Sequence, residues 1–505
     1  MDKNETNQVK LGAGISYLLI ILNSLYGVVM TPYIIGSVGI DQYGVYKTIA
    51  ALSSSIMVMD FGLGGTVQRY VAKYRADNKE NKISNFLSMS LIIALVLNVL
   101  IMLVSIATLF LIEPIYGDSF SMVQVVLARK LFLLLSINAL MVVIENVLNG
   151  LITGYNRFIF GNGLKLFLLA FRIVMLFVFL PVCENTITIV IITIFASVIA
   201  LCVEMIYIKC VLKVHIKYEY WDKTVLCEAG KYTLLMFLTS IASYIFANLD
   251  NVIIGAVNGP ERVAVYSVGL LFFSMFQNLS AGIAGVMLPT VTNALNDNDG
   301  MKRVTDVIIK AGKMQFILLG AALTGFLCIG KDFVSKWMGE GFEDVYLITL
   351  ILLIPSIFEL CINVCLSILR AQNRLGFRTG VVIASAILNA ILTIIFVNTW
   401  SYIGAAVATA CSYIVCSLIV MNIYYSRVIH LPMLRIYKFI LGRVSICLLL
   451  SGICLFVFSR FVKGSWIAII ADIVVFCIVY GGSLLIFGLD EKEKKNIPFI
   501  NKYVK

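Results

Sequence analysis

The sequence predicts an all-α polytopic membrane protein of about fourteen transmembrane helices. Two six-helix lobes are expected, related by a parallel internal repeat, with a C-terminal helical hairpin added. Three observations carry this expectation. Sixty per cent of residues are apolar, 13% are charged and the mean hydropathy is +0.97, which excludes an ordinary soluble domain. Apolar runs of twenty or more residues recur along the whole chain, each able to cross a hydrocarbon core of ~30 Å as a helix. Finally, two stretches roughly 220 positions apart say nearly the same thing, the mark of duplication.

In order, the apolar runs cover about 11–35, 43–66, 84–112, 131–153, 159–182, 185–210, 232–257, 263–289, 307–330, 345–369, 379–398, 402–425, 440–460 and 465–488. Charge orients them. With a cytoplasmic N-terminus, the inner segments carry 29 Lys and Arg and the outer ones 8, leaving Lys165 and Arg172 inside a span. That asymmetry is the positive-inside pattern, so the net charge of +11 orients the chain and does not point to nucleic acid. An even number of spans returns the C-terminus to the cytoplasm. The opening Met1-Asp2-Lys3-Asn4 lacks the basic region of a secretory signal, so the first span is expected to be retained.

The repeat pairs Tyr33-Ile34-Ile35-Gly36 with Val252-Ile253-Ile254-Gly255, then Gly39 with Gly259 and Tyr43-Gly44-Val45-Tyr46 with Val263-Ala264-Val265-Tyr266. Gly62 and Gly65 fall on Gly282 and Gly285, Asn156-Arg157 on Asn373-Arg374, and Gly163 on Gly380. Six spans precede the second copy, so both copies enter the membrane in one direction. The expected divisions are an N-lobe over 1–212, a cytoplasmic linker over 213–230, a C-lobe over 231–428, and a hairpin with a basic tail over 429–505.

No chemistry box accompanies this frame. His215 and His430, the only histidines, have no metal-ligand partner at helical spacing, and no P-loop is present. Asp297-Asn298-Asp299 imitates a metal-binding DxD but reads as a solvated turn. Nearly all twelve cysteines lie in apolar spans, where they act as small hydrophobes. The outer loops are too short to build an enzyme site, so no catalytic residue, metal or cofactor is expected.

Charges inside spans are the informative residues, because each costs several kcal/mol unless paired or hydrated. Lys165 and Arg172 lie seven residues apart on span 5 and share a helix face. A cationic patch of this kind suits a phosphate-bearing substrate. The structural alternative is neutralisation by Glu145 or Glu204 on neighbouring spans. Glu359 follows Pro355, which favours a kink, and is a candidate proton or sodium site together with Asp250 and Glu204. Asp60 opens Asp60-Phe61-Gly62-Leu63-Gly64-Gly65, where capping and bending are expected and Gly62 and Gly65 permit close helix approach. Polar stripes recur on spans 1, 2, 7 and 8: Asn23 and Ser24, Ser54, Tyr244 and Asn248, Gln277 and Asn278. These spans correspond between the copies and are expected to wall a shared cavity, although small hydroxyls often only join helices.

Thr31-Pro32-Tyr33-Ile34-Ile35-Gly36, Gly39, Tyr43-Gly44 and Asp60-Phe61-Gly62-Leu63-Gly64 resemble the N-terminal signature of the polysaccharide transporter family. This is the oligosaccharide-flippase branch, O-antigen flippases included, of the MATE-like MOP superfamily. The motif part covers the first ~75 residues and the layout covers spans 1–12. The resemblance implies two six-helix lobes around a central cavity, and undecaprenyl-diphosphate-linked oligosaccharides moved from inner to outer leaflet for surface polysaccharide biosynthesis. It implies a location in the cytoplasmic membrane and partners such as a polysaccharide polymerase and glycosyltransferases. Lipid II flippases carry arginines in span 1, whereas this chain has none between Lys10 and Lys47, which favours a surface-polysaccharide unit. Transport by lobe rocking, coupled to a proton or sodium gradient or to membrane potential, is the expected mechanism. The alternatives are a MATE-type multidrug/cation antiporter, a lipid II flippase, a membrane-embedded glycan-assembly enzyme, or a structural part of an assembly complex.

Overall fold

A computed structural model describes residues 3–295, 300–372, 374–460 and 465–490. The acidic turn at 297–299, Asn373 of the repeat and the basic tail beyond 490 lie outside the described residues. Every regular element among the described residues is helical. Among the described residues, thirteen helical stretches are long and apolar enough to span a membrane. One of them, Leu375–Arg427, holds 53 residues and would reach about 80 Å if straight, far beyond a ~30 Å core. It is broken at Trp400 (φ −120°, ψ 18°) and Ser401 (φ 55°, ψ −153°), and so supplies two spans, which makes fourteen.

The helices are α1 (Lys3–Val38), α2 (Ile40–Met57), α3 (Leu63–Ala76), α4 (Glu80–Tyr116), α5 (Met122–Gly154), α6 (Phe158–Cys183), α7 (Thr186–Cys210), α8 (Lys223–Asn258), α9 (Pro260–Leu295), α10 (Gly300–Met338), α11 (Asp344–Cys361), α12 (Cys365–Ala371), α13 (Leu375–Ser412), α14 (Met421–Arg427), α15 (Met433–Phe458) and α16 (Trp466–Ser483). A π-helical stretch, Tyr413–Val420, joins α13 to α14. Span 2 is α2 plus α3, interrupted at Val58–Gly62. Span 10 is α11 plus α12, interrupted at Ile362–Val364. Pro355 lies inside α11, seven residues before that interruption.

The chain forms two compact units. The first comprises the chain up to Ser267 together with Ala386–Ala405; the second comprises Val268–Ser385 and the chain from Ala406 onward. In the first unit α5 is the central helix, packed by α2, α3, α4 and α7 around Val67, Val71, Val143, Val147, Leu148 and Leu151. Glycine sets the α3/α5 distance. A Cβ on Gly150 would lie 2.3 Å from the Gly64 carbonyl oxygen, and one on Gly64 would lie 2.6 Å from that of Asn146. Only bare backbones fit there. Gly39 joins α1 to α2 and Gly259 joins α8 to α9; both have φ +84°, so the duplication is written in backbone conformation as well as in sequence.

In the second unit α10 packs along α15, with Val304, Ile308 and Leu319 buried on one helix and Ile440, Val444 and Leu448 on the other. The C-terminal pair is held to the same unit by the Tyr480 hydroxyl, which donates to the Ile317 carbonyl at 3.0 Å, and by Cys447, whose thiol donates to the Ser483 carbonyl at 3.3 Å.

Between α7 and α8 the chain has no regular secondary structure from Lys213, which is left-handed (φ 54°), to Asp222, and α8 already begins at Lys223. This strap is pinned to the start of α4. The Asn85 side chain accepts from the Glu219 and Tyr220 amides at 2.9 and 3.2 Å and donates to the Tyr220 carbonyl at 2.9 Å. Ser84 donates to the His215 carbonyl.

Candidate functional site

In the first unit α6 presents Lys165 and Arg172 two turns apart. Arg172 lies 14 residues into the helix, about 21 Å along its axis, and is half-buried. Its Nε is buried without a hydrogen-bond partner among the described residues. Neither cation makes a direct ion pair among those residues. The nearest acids act at longer range: Glu145 on α5 faces both Arg172 and Lys165, and Glu204 on α7 faces Lys165 and Glu145. Glu204 is 1% exposed; its Oε1 accepts from Asn149 at 3.2 Å and its Oε2 has no partner among the described residues. The cations are thus offset by acids without being consumed by them, and a guanidinium with an unused donor remains in the interior.

A third cation belongs to this group. Lys47, seven residues into α2, lies 5.3 Å from the Tyr43 ring centre. Tyr26 and Tyr46 stand within electrostatic reach of both Lys47 and Arg172. The apolar run over 43–66 contains Lys47, but from the sequence only Lys165 and Arg172 are read as cations inside a span. Tyr43, one turn before it, was the available signal.

Asp60 sits at the break in span 2. Its Oδ1 accepts from the Gly62 amide at 2.7 Å, and its Oδ2 accepts from Asn146 at 2.8 Å. Phe61 (φ 55°) and Gly62 (φ 67°) are both left-handed, and the Phe61 ring stacks on Phe237 at 4.0 Å. Gly65 is exposed with open space at its Cβ position, so the close approach belongs to Gly64. Asp250, 2% exposed, accepts from Tyr266 at 2.5 Å and from Thr393 at 2.8 Å.

Several polar-stripe residues bond to their own helices: Asn23 to the Leu19 carbonyl, Ser24 to Ile20 and Ser54 to Ala50, at 2.7–2.9 Å. Tyr244 instead crosses from α8 to α2, donating to the Ala51 carbonyl at 2.5 Å. Asn248 is half-buried on α8, and Asn278 is exposed on α9. In the second unit the Tyr413 hydroxyl donates to Glu359, Gln277 reaches the same hydroxyl, and Arg378 faces both. Tyr413 opens the π-helical stretch, a type of irregularity frequent at functional sites. Fifty-four residues separate Glu359 from Tyr413, and no motif links them. Among the described residues no group of three potential ligands could hold a metal ion.

A multi-pass helical membrane protein with cations seated inside its spans is the class that this fold defines. The chain belongs to the family described as "Polysaccharide biosynthesis protein", whose profile matches residues 9–295. It is 24% identical over 184 residues to "Probable low-salt glycan biosynthesis flippase Agl15" of Haloferax volcanii, covering 36% of this chain and 39% of that one. It is 24% identical over 201 residues to "Probable flippase AglR" of the same organism, covering 39% and 41%. The chain thus spans about two fifths of the length of the curated relatives it matches. Its fold is similar to that of the lipid II flippase MurJ in an inward closed conformation, with a TM-score of 0.71, 17% identity and coverage of 94% and 98%. It is also similar to an inward-facing MATE multidrug transporter of the MOP superfamily, with a TM-score of 0.61, 15% identity and coverage of 82% and 98%.

Proposed function

We propose that the chain is a non-catalytic flippase that moves undecaprenyl-diphosphate-linked oligosaccharide from the inner to the outer leaflet of the cytoplasmic membrane, by alternating access, for surface polysaccharide assembly. The observation that carries this reading is Arg172: a half-buried guanidinium in mid-helix whose Nε has no partner among the described residues, with Lys165 two turns away on the same helix and Lys47 acting on the same two tyrosines, Tyr26 and Tyr46. A diphosphate supplies the acceptor oxygens such a group lacks, and guanidinium–phosphate bonds are charge-assisted and bidentate. The family and the flippase relatives support the same class. On this reading both termini are cytoplasmic, and a polymerase and glycosyltransferases are the partners before and after transport. Glu359, Asp250 and Glu204 are the residues at which a proton or sodium ion would couple.

Arg172→Ala should abolish export of lipid-linked oligosaccharide while the protein remains folded, and Arg172→Lys should restore part of it. Wild-type export in Arg172→Ala would overturn the site. A multidrug/cation antiporter is the second reading, and Glu359 with its tyrosine hydroxyl is the observation that favours it. Drug efflux that requires Glu359, with glycan export indifferent to Arg172, would reverse the choice.

A further inference from the structure

The helices that correspond in the two copies, α1 with α6 and α8 with α13, are joined in different ways. In the second copy the joint is polar in mid-span: Asp250 on α8 accepts from Thr393 on α13 at 2.8 Å. The corresponding residues of the first copy are Thr31 and Leu176, and Leu176 carries no donor. There hydrogen bonds pin the α1/α6 joint near its two ends. At one end Asn162 donates to the Gly12 carbonyl at 2.9 Å and to Ser16 at 2.7 Å. At the other, the Tyr33 hydroxyl donates to the Phe177 carbonyl at 3.5 Å.

Between these pins, about 22 Å apart along α6, a groove of 310 Å³ runs between the helices. Leu22, Leu25, Val29, Leu166, Leu169 and Ile173 line it, and Tyr26 is its one hydroxyl-bearing wall. Leu25 and Val29 are more than half exposed, at 52% and 56%, so the groove opens to the surface that meets lipid. Tyr26 also lies within electrostatic reach of Arg172. Tyr26 therefore lines the apolar groove and lies within electrostatic reach of a guanidinium whose Nε has no hydrogen-bond partner among the described residues.

We infer that the α1/α6 groove seats the hydrocarbon chain of a polyprenyl diphosphate whose diphosphate is held by Arg172, with Tyr26 at the junction of chain and head. The inference rests on the lipid-diphosphate reading above and adds the place where the tail leaves the protein. The match is one of charge and polarity. An unbranched apolar trough lets an isoprenoid stay in a lipid-like medium while its anionic end reaches a cation that is costly to leave unpaired. Ordinary bilayer lipid would fill the trough without needing Arg172.

The test uses the full chain in lipid nanodiscs and a farnesyl diphosphate analogue that carries a diazirine on its hydrocarbon chain. The label should map to 22–30 of α1 and 166–177 of α6. It should fall about tenfold in Arg172→Ala, the loss expected for one strong charge-assisted contact, and similarly in Ala170→Trp, which fills the groove from an exposed position. A diazirine-bearing phosphatidylcholine should label the groove weakly and be displaced by excess polyprenyl diphosphate. Arg172-dependent label on other helices would overturn the groove and leave the diphosphate site standing. Label indifferent to Arg172 would overturn both. Undisplaced phosphatidylcholine would mean bilayer lipid only. The wild-type map decides the matter even where a variant fails to fold.

Discussion

The second and fourth spans of each copy meet at the same pair of positions, and the two meetings are built in opposite ways. In the first copy Asn146 on the fourth span donates to Asp60 on the second at 2.8 Å. At the repeat offsets these residues become Asn363 and Ser280. There Asn363 donates to the Ser280 hydroxyl at 3.4 Å. The contact survived duplication, but the helix break changed sides. In the first copy the second span breaks at Val58–Gly62 and α5 runs through; in the second, α9 runs through and the fourth span breaks at Ile362–Val364.

The residue type follows the break. An interrupted helix leaves backbone groups without partners, and inside a membrane water does not supply them. Beside its own break Asp60 offers an acceptor, which takes the freed Gly62 amide at 2.7 Å. Facing a break in its neighbour, Ser280 offers a donor, which takes the Leu360 carbonyl at 2.9 Å, while Gln315 donates to the Ser280 carbonyl at 3.1 Å. A carboxylate could not have served the second place, nor an alkyl side chain either one. The asymmetry of charge between the copies is thus partly a consequence of where each helix is cut.

This comparison can be broken at three strengths. The largest effect is expected at the shared scaffold. Gly150→Val drives a side chain into the Gly64 backbone and should cost roughly 3 kcal/mol or more, seen as loss of the monodisperse peak in detergent. Gly163→Ala, with open space at its Cβ, should elute as wild type. Next, Asp60→Ala strips acceptors from both the Gly62 amide and Asn146, for a loss of about 2–4 kcal/mol in thermal or denaturant unfolding. Ser280→Ala should cost less, roughly 1–2 kcal/mol, because a carbonyl is easier to leave underused than an amide. If Ser280→Ala proved as damaging as Asp60→Ala, the two junctions would not differ in the way described.

Much of the frame was legible in the sequence because hydropathy and length decide what crosses a membrane. The division between spans 11 and 12 fell at 399–401, where Trp400 and Ser401 leave helical geometry. The interruption after α11 was not legible. Pro355 drew attention, but the helix continues through it and breaks at Ile362–Val364, where no proline or glycine stands. Phe61 gives as little notice, since an aromatic residue at φ 55° is held there by its stacking on Phe237, a contact 176 residues away. Lys165 and Arg172 announced themselves by charge inside an apolar run. Lys47 did not, because seven residues from a helix end a lysine resembles an interfacial anchor. Side-chain pairs such as Glu359 with Tyr413 depend on tertiary contact, and periodicity carries no information about them.

The strap at Lys213–Asp222 has a consequence for how this protein can be divided. A gene cut there would seem to separate two halves at an ordinary linker. Asn85, however, takes three backbone partners from Glu219 and Tyr220, and Ser84 takes the carbonyl of His215. Two fragments split within the strap would each carry half of one joint. Their reassembly would depend on which fragment kept residues 215–220, so split-protein complementation should succeed for a cut after Asp222 and fail for one before His215.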